Sequence, residues 1–306
     1  MLVRINVLFV FVFSIMLFGC NKNKVEAKYS AKYELSDIPY IDHFKIFNEQ
    51  VIDKNLKEVS GLVTSRNQQG FVYMVEDRSN KNAVYVFNKE GGYQGKLVLQ
   101  GVENIDWEDL AIGPGPTPGK NYIYVADIGD NDAVRENVRV IRFEEPNEFS
   151  FSENKMIIQN YDVITFEYPD GARDAETLLI DPKNLQLIVI TKREAVARVY
   201  ALGYPYTNKE LDFIGLLPMQ RLLGGDVSPS GNKVLLKNKS TVYYWSNVGD
   251  NLLKSLFKTN PVSVFYIKEP QGESIGFTSD EKGYMTITET SGHSGAEPIL
   301  YHYIEE

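Results

Sequence analysis

Trp107-Glu-Asp-Leu-Ala-Ile112, Ala175-Glu-Thr-Leu-Leu-Ile180 and Gly272-Glu-Ser-Ile-Gly-Phe277 align without a gap, and each is followed by a turn and a second run of β-branched and aromatic residues. Two looser copies are Val59-Ser-Gly-Leu-Val-Thr64, preceded by Glu58, and Gly224-Gly-Asp-Val227, in which the acid is displaced to Asp226. Outward from each copy the same order recurs. Second strands are expected at 71–76, 122–127, 187–191, 234–237 and 284–288, and third strands at 83–87, 138–143, 198–202, 241–245 and 299–303. Fourth strands are expected at 96–100, 163–168, 211–216 and 262–267. Short runs rich in Val, Ile, Tyr and Phe, punctuated by Gly, Asn, Asp, Ser and Pro and lacking a sustained helical period, are an all-β signature. Self-similarity at a period of about fifty residues marks a repeat architecture.

The fifth copy reaches Glu306 without a fourth strand, while residues 44–52 form a strand-like run ahead of the first copy and can supply it. The expected fold is therefore an all-β propeller of five four-stranded blades, closed by the N-terminal strand so that no sheet edge is left open at the seam. A spare strand at 156–159 leaves six blades as the alternative. A sandwich or β-helix is the remaining option, although a sandwich does not need the repeat.

Ahead of the repeat the chain runs apolar from Ile5 to Phe18, behind Arg4, and stops at Leu17-Phe-Gly-Cys20. That run is short for a bilayer span, which needs about 20 residues, and fits a signal-peptide core. Leu17–Cys20 resembles the bacterial lipobox, which implies removal of residues 1–19 and lipidation of Cys20, the chain's one cysteine. Two or more acyl chains make such anchoring stable. Residues 20–40, polar and mixed in charge, read as a tether, and residues 41–306 as the propeller domain. Asn21 after the lipidated cysteine favours an outer membrane where one exists, so the expected location is the cell envelope.

Formal net charge is −9, one unit more negative once Arg4 is removed. Nucleic-acid binding calls for a basic footprint and is not expected. A single cysteine excludes an internal disulfide and a cysteine-based metal site. Three histidines, without a His-Glu-x-x-His spacing, give no zinc signature, and neither a nucleophile elbow nor a Walker loop is present.

In a propeller, residues entering each innermost strand and those leaving the second strand share one face. This places Glu58, Asp106, Glu108, Asp174, Glu176, Asp226 and Glu273 around the mouth of the central channel, with Lys192, Arg193 and Lys237 beside them. So many carboxylates in a confined mouth require compensation by a cation or by basic side chains. Either the ring takes a ligand, or each acid accepts hydrogen bonds from a neighbouring blade and clasps the structure. The stretch Asp127-Ile-Gly-Asp-Asn-Asp132 departs from the repeat, and its Asp127, Asp130 and Asp132 form a candidate calcium site, since calcium takes oxygen ligands.

The stretches Asn104–Ala111, Tyr124–Asn131, Arg173–Leu178, Thr191–Glu194 and Glu269–Glu273 resemble a family of secreted bacterial propellers grouped with TolB-like propellers and those of phytase-like esterase activity. The resemblance implies the fold and assigns no reaction. Two functions are consistent with it. One is a lipid-anchored module, expected to be a monomer, that binds a small polar ligand or another envelope protein. The other is a calcium-dependent phosphoester or carboxylester hydrolase, its metal on Asp106, Glu108, Asp127 and Asp130 and its anion met by Lys192, Arg193 and Lys237.

Overall fold

The computed structural model describes residues 25–52, 56–78 and 80–306. Successive residues of each innermost strand point alternately to the two neighbouring blades, as the two-residue strand period requires. Leu62, for example, joins an apolar cluster with Met285, Ile287 and Leu300, whereas Val63 joins one with Trp107, Leu110 and Ile112. The result is five sheets and five apolar clusters, one filling each gap between adjacent blades.

Blade 1 runs Val59–Thr64, Phe71–Glu76, Ala83–Asn88 and Tyr93–Leu99 from the channel outward, and blade 2 runs Trp107–Pro114, Asn121–Asp127, Val138–Glu144 and Asp162–Phe166. Blade 3 comprises Ala175–Asp181, Gln186–Thr191, Ala197–Leu202 and Asp212–Leu217, and blade 4 comprises Gly224–Val227, Val234–Lys237, Val242–Trp245 and Val262–Val264. Blade 5 takes Ile275–Phe277, Gly283–Ile287 and Ile299–Glu305 from the C-terminus and Phe44–Val51 from the N-terminus, antiparallel to Ile299–Glu305. The expected closure and five-blade count therefore hold.

Two expectations are corrected. The spare strand does not found a sixth blade: Lys155–Ile158 pairs parallel with Tyr93–Leu99 and covers the outer edge of blade 1. The segment read as a tether is, from Tyr29 onward, built into the propeller. Tyr29–Ser30 pairs parallel with Gly215 and Leu216 of blade 3, and Tyr40–Ile41 pairs parallel with Ser263 and Val264 of blade 4. Between them Tyr33 is buried and donates its hydroxyl to Leu256 O at 2.7 Å. Sheet edges left open are templates for unwanted pairing, and these short parallel strands cover two of them. Among the described residues, the α-helix Leu252–Lys258 packs Leu252, Leu253, Leu256 and Phe257 inward; the Asn251 side chain accepts from Lys254 N–H and caps it.

Candidate functional site: an acidic channel mouth

Three innermost strands begin with a β-bulge. The register slips between Trp107 and Asp109, between Ala175 and Thr177, and between Val59 and Gly61. The extra residues are Glu108, Glu176 and Ser60. A bulge re-aims the side chain it carries, and here it separates two roles that sit side by side in the sequence. Asp109, fully buried, accepts from Leu110 N–H at 2.8 Å and from Leu178 N–H of blade 3 at 2.9 Å. Glu108, one residue earlier, joins the carboxylates of the mouth.

Clasping between blades is thus carried by residues other than the mouth glutamates. Asp226 accepts from its neighbour Val227 N–H and, at 2.8 Å, from Phe277 N–H of blade 5. Ser60 donates to Trp107 O, Ser274 to Val59 O and Thr64 to Phe277 O. Asp226 is thereby removed from the mouth: it lies in the channel wall, 3.9 Å from the Arg66 guanidinium that enters from the other face. Burial pushes Asp226 up to about 6, against the pull of Arg66. Lys237 is likewise absent from the mouth. It is fully buried behind blade 4, 3.2 Å from Glu269, with its ammonium over the Tyr266 ring at 4.8 Å.

What remains at the mouth is compact. Oxygens of Asp77, Asp106 and Glu108 lie within 4.8 Å of one another, as do those of Glu108, Asp174 and Glu176, so Glu108 belongs to both groups. The backbone at Gly129 passes so close that a Cβ there would collide with Glu108 Oε1 and the Asp106 carboxyl. Among the described residues, two basic side chains form ion pairs with this set. Lys192 pairs with Glu176 and lies 3.6 Å from Glu273; Arg193 pairs with Asp174 at 2.5 Å and reaches the Asn131 side chain. Asp106 Oδ1 and Glu176 Oε2 are buried without any hydrogen-bond partner.

Electrostatics follow from crowding. Burial, and then the Asp77 carboxylate, push Asp106 up to about 7. Burial raises Glu108 well above the usual carboxylate range, with Glu176 the next cause, and burial followed by Glu273 does the same to Glu176. Burial opposes the charge on Lys192, but Glu176 and Glu273 outweigh it and hold the ammonium above its ordinary value. At the rim, Glu58 accepts from Ser291 and Asn80, while Glu289 accepts from Gln271 and is pushed up to about 8 by burial and by Glu273.

The Asp127–Asp132 loop has a different organisation from the one its spacing indicates. Asp127 is fully buried and its two oxygens take Arg135 at 2.9 Å and Arg139 at 2.8 Å. Asp130 accepts from Val134 N–H and Arg135 N–H and so closes the turn, and Asp132 is exposed. Among the described residues, the three acids of this loop do not converge on a common focus.

Fold and site together define a five-bladed β-propeller with an acidic channel mouth. No family model matches the chain, and no curated protein matches it in sequence. Among solved structures, the WD40 domain of Neurospora crassa Pan2 is similar, with a TM-score of 0.45 and 9% identity over 87% of this chain and 97% of that one.

Proposed function

We propose that this protein is a lipid-anchored binding module of the bacterial envelope, and that the acidic mouth is where it binds. The mouth takes a cationic group: a divalent cation such as calcium, or the positive end of a small polar ligand or of another envelope protein. One observation carries this reading. Asp106 Oδ1 and Glu176 Oε2 are buried and unpartnered within a cluster of six carboxyl groups, Asp77, Asp106, Glu108, Asp174, Glu176 and Glu273, whose ion pairs among the described residues are those with Lys192 and Arg193. Buried polar atoms without partners cost about 1–3 kcal/mol each, and a bound cation removes that cost. The likeness of the motifs to TolB-like and phytase-like propellers belongs to the same reading.

The anchor on Cys20 gives the mouth an orientation. Tyr29–Ser30 runs parallel to Asp212–Leu217, whose C-terminal end is at the mouth, so the chain before Tyr29 comes from the other face. There Val25 packs against the apolar core shared by blades 2 and 3, as does Tyr206. Val25 lies five residues beyond Cys20 in the sequence, a reach of at most about 18 Å. The mouth then faces away from the membrane, toward the envelope space. The test is a calcium titration of the mature chain, followed by thermal shift, beside a Glu108→Gln, Glu176→Gln double variant. Stabilisation of the parent alone supports the site; equal stabilisation of both, or of neither, removes it.

A second reading, a calcium-dependent phosphoester or carboxylester hydrolase, is favoured by the Asp77, Asp106 and Glu108 oxygens, which lie within 4.8 Å of one another where a metal could polarise an ester. Its metal would rest on Asp106 and Glu108, since Asp127 is taken by two arginines. Absence of turnover by the calcium-loaded protein on a panel of phosphoesters and carboxylesters eliminates it.

A further inference from the structure

We propose that the cavity between blades 3 and 4, beside the mouth, is an oxyanion site: Arg221, Lys239 and Arg193 bind the carboxylate or phosphate group of the small ligand whose positive end the mouth takes. This rests on the reading of the mouth as a ligand site and extends it to the other half of the ligand.

The cavity measures about 610 Å³ and shares Lys192 and Glu273 with the mouth, so the two regions are continuous. In a chain of net charge −9, most basic side chains near the mouth are already committed. Arg135 and Arg139 serve Asp127, Arg173 serves Asp170 and Glu194, and Lys192 serves Glu176 and Glu273. Arg221, by contrast, has neither ion pair nor hydrogen bond on its guanidinium among the described residues, and it lines the cavity. Its backbone sits at φ 51°, in the left-handed region that long side chains avoid.

Lys239 stands on a prepared loop. Asn238 Oδ1 accepts from Ser240 N–H at 3.0 Å and Thr241 N–H at 2.9 Å, fixing the turn, and among the described residues the Lys239 ammonium has one hydrogen bond, to Gln271 Oε1 at 3.4 Å. Arg193 is half-exposed, and beyond its bonds to Asp174 through Nε and to Asn131 through Nη2 it has Nη1 to offer. A planar guanidinium matches an oxyanion through two parallel N–H bonds, and a pre-ordered loop lowers the entropy lost on binding. Glu273 and the adjoining carboxylates repel an extended polyanion, so the cavity fits one oxyanion on a small molecule.

The experiment titrates the mature protein with inorganic phosphate and, separately, with acetate, reading chemical shifts of the Arg221 and Lys239 amides. Saturable binding of at least one anion is expected, weakened about tenfold or more by Arg221→Gln and by Lys239→Gln, both exposed positions. Phosphate alone marks the ligand as a phosphate ester, acetate alone as a carboxylate. No saturable binding of either, or binding unchanged in both variants, overturns the proposal. Calcium binding, measured on the same samples and on Glu108→Gln, reports on the acidic half by itself, so failure of one half is distinguishable from failure of the other.

Discussion

Lys192 of blade 3 joins Glu176 of its own blade to Glu273 of blade 5, 3.6 Å from its ammonium, across the channel mouth. A single ammonium therefore restrains two carboxylates that would otherwise repel each other and Glu108. Replacing it by methionine keeps the length of the side chain and removes the charge. Lys192→Met is expected to lower stability by on the order of 2 kcal/mol near neutral pH. In a thermal melt, calcium should restore more stability to the variant than it adds to the parent, because the vacated position is left to the metal.

Adjacent acids in one strand should respond in opposite ways. Asp109 holds two backbone N–H groups, one of them on the next blade, and Asp109→Ala leaves both without a partner in the core. A loss of about 2–4 kcal/mol in denaturant unfolding is expected. Glu108→Gln removes a crowded charge and is expected to be neutral or stabilising in the absence of metal. Equal losses at the two positions would contradict the separation made by the bulge.

The mouth predicts a stability that declines with pH. Asp106, at about 7, and Glu289, at about 8, hold their protons in the folded protein to higher pH than in the unfolded chain. Their contribution is complete below the unfolded carboxyl range near pH 4 and is lost as pH rises through 7 to 8. Melting temperature should fall across this window. Glu289→Gln should flatten the upper part of the decline and Asp106→Asn the part around neutrality, and saturating calcium should flatten it in the parent.

Anchoring through Cys20 predicts loss of palmitate labelling and release into the soluble fraction for Cys20→Ala. In the lipidated protein on vesicles, a fluorophore at Tyr204→Cys, on the face from which the N-terminus emerges, should be quenched by lipid-borne quenchers more strongly than one at Arg221→Cys. The reverse order would mean that the mouth faces the bilayer.

The repeat was legible because closure of a propeller demands the same strand order in every blade, and Trp107–Ile112, Ala175–Ile180 and Gly272–Phe277 carry that demand almost unchanged. Asp106, Glu108, Asp174, Glu176 and Glu273 were legible at the mouth for the same reason, whereas Asp226, expected beside them, lies in the channel wall. The clasp was expected as one reading of these acids, and Asp226 and Asp174 do accept from neighbouring blades, but the part played by Asp109 was not legible. Asp109 and Glu108 differ in role through a single-residue bulge, which leaves no mark in composition or spacing. Lys237 alternates correctly for a strand end, yet Glu269, far along the chain, draws it behind the blade. Glu269 also accepts from Tyr266 and Thr286, and Gly272 has no room for a Cβ beside it, so this part of the Glu269–Glu273 motif serves packing. The Asp127–Asp132 loop misled because Arg135 and Arg139, eight and twelve residues beyond Asp127, reach back to it. Residues 29–41 lack apolar periodicity since each contributes only two residues at a time to a sheet edge. Edge strands that short carry too few residues to show a period.

The central claim is that the mouth, and Glu108 above all, receives a cation. Anomalous diffraction from a crystal soaked in a lanthanide that replaces calcium tests it most directly. A peak among Glu108, Asp174 and Glu176, or among Asp77, Asp106 and Glu108, is the predicted result; a mouth without a peak, or a peak confined to the Asp127–Asp132 loop, would contradict it.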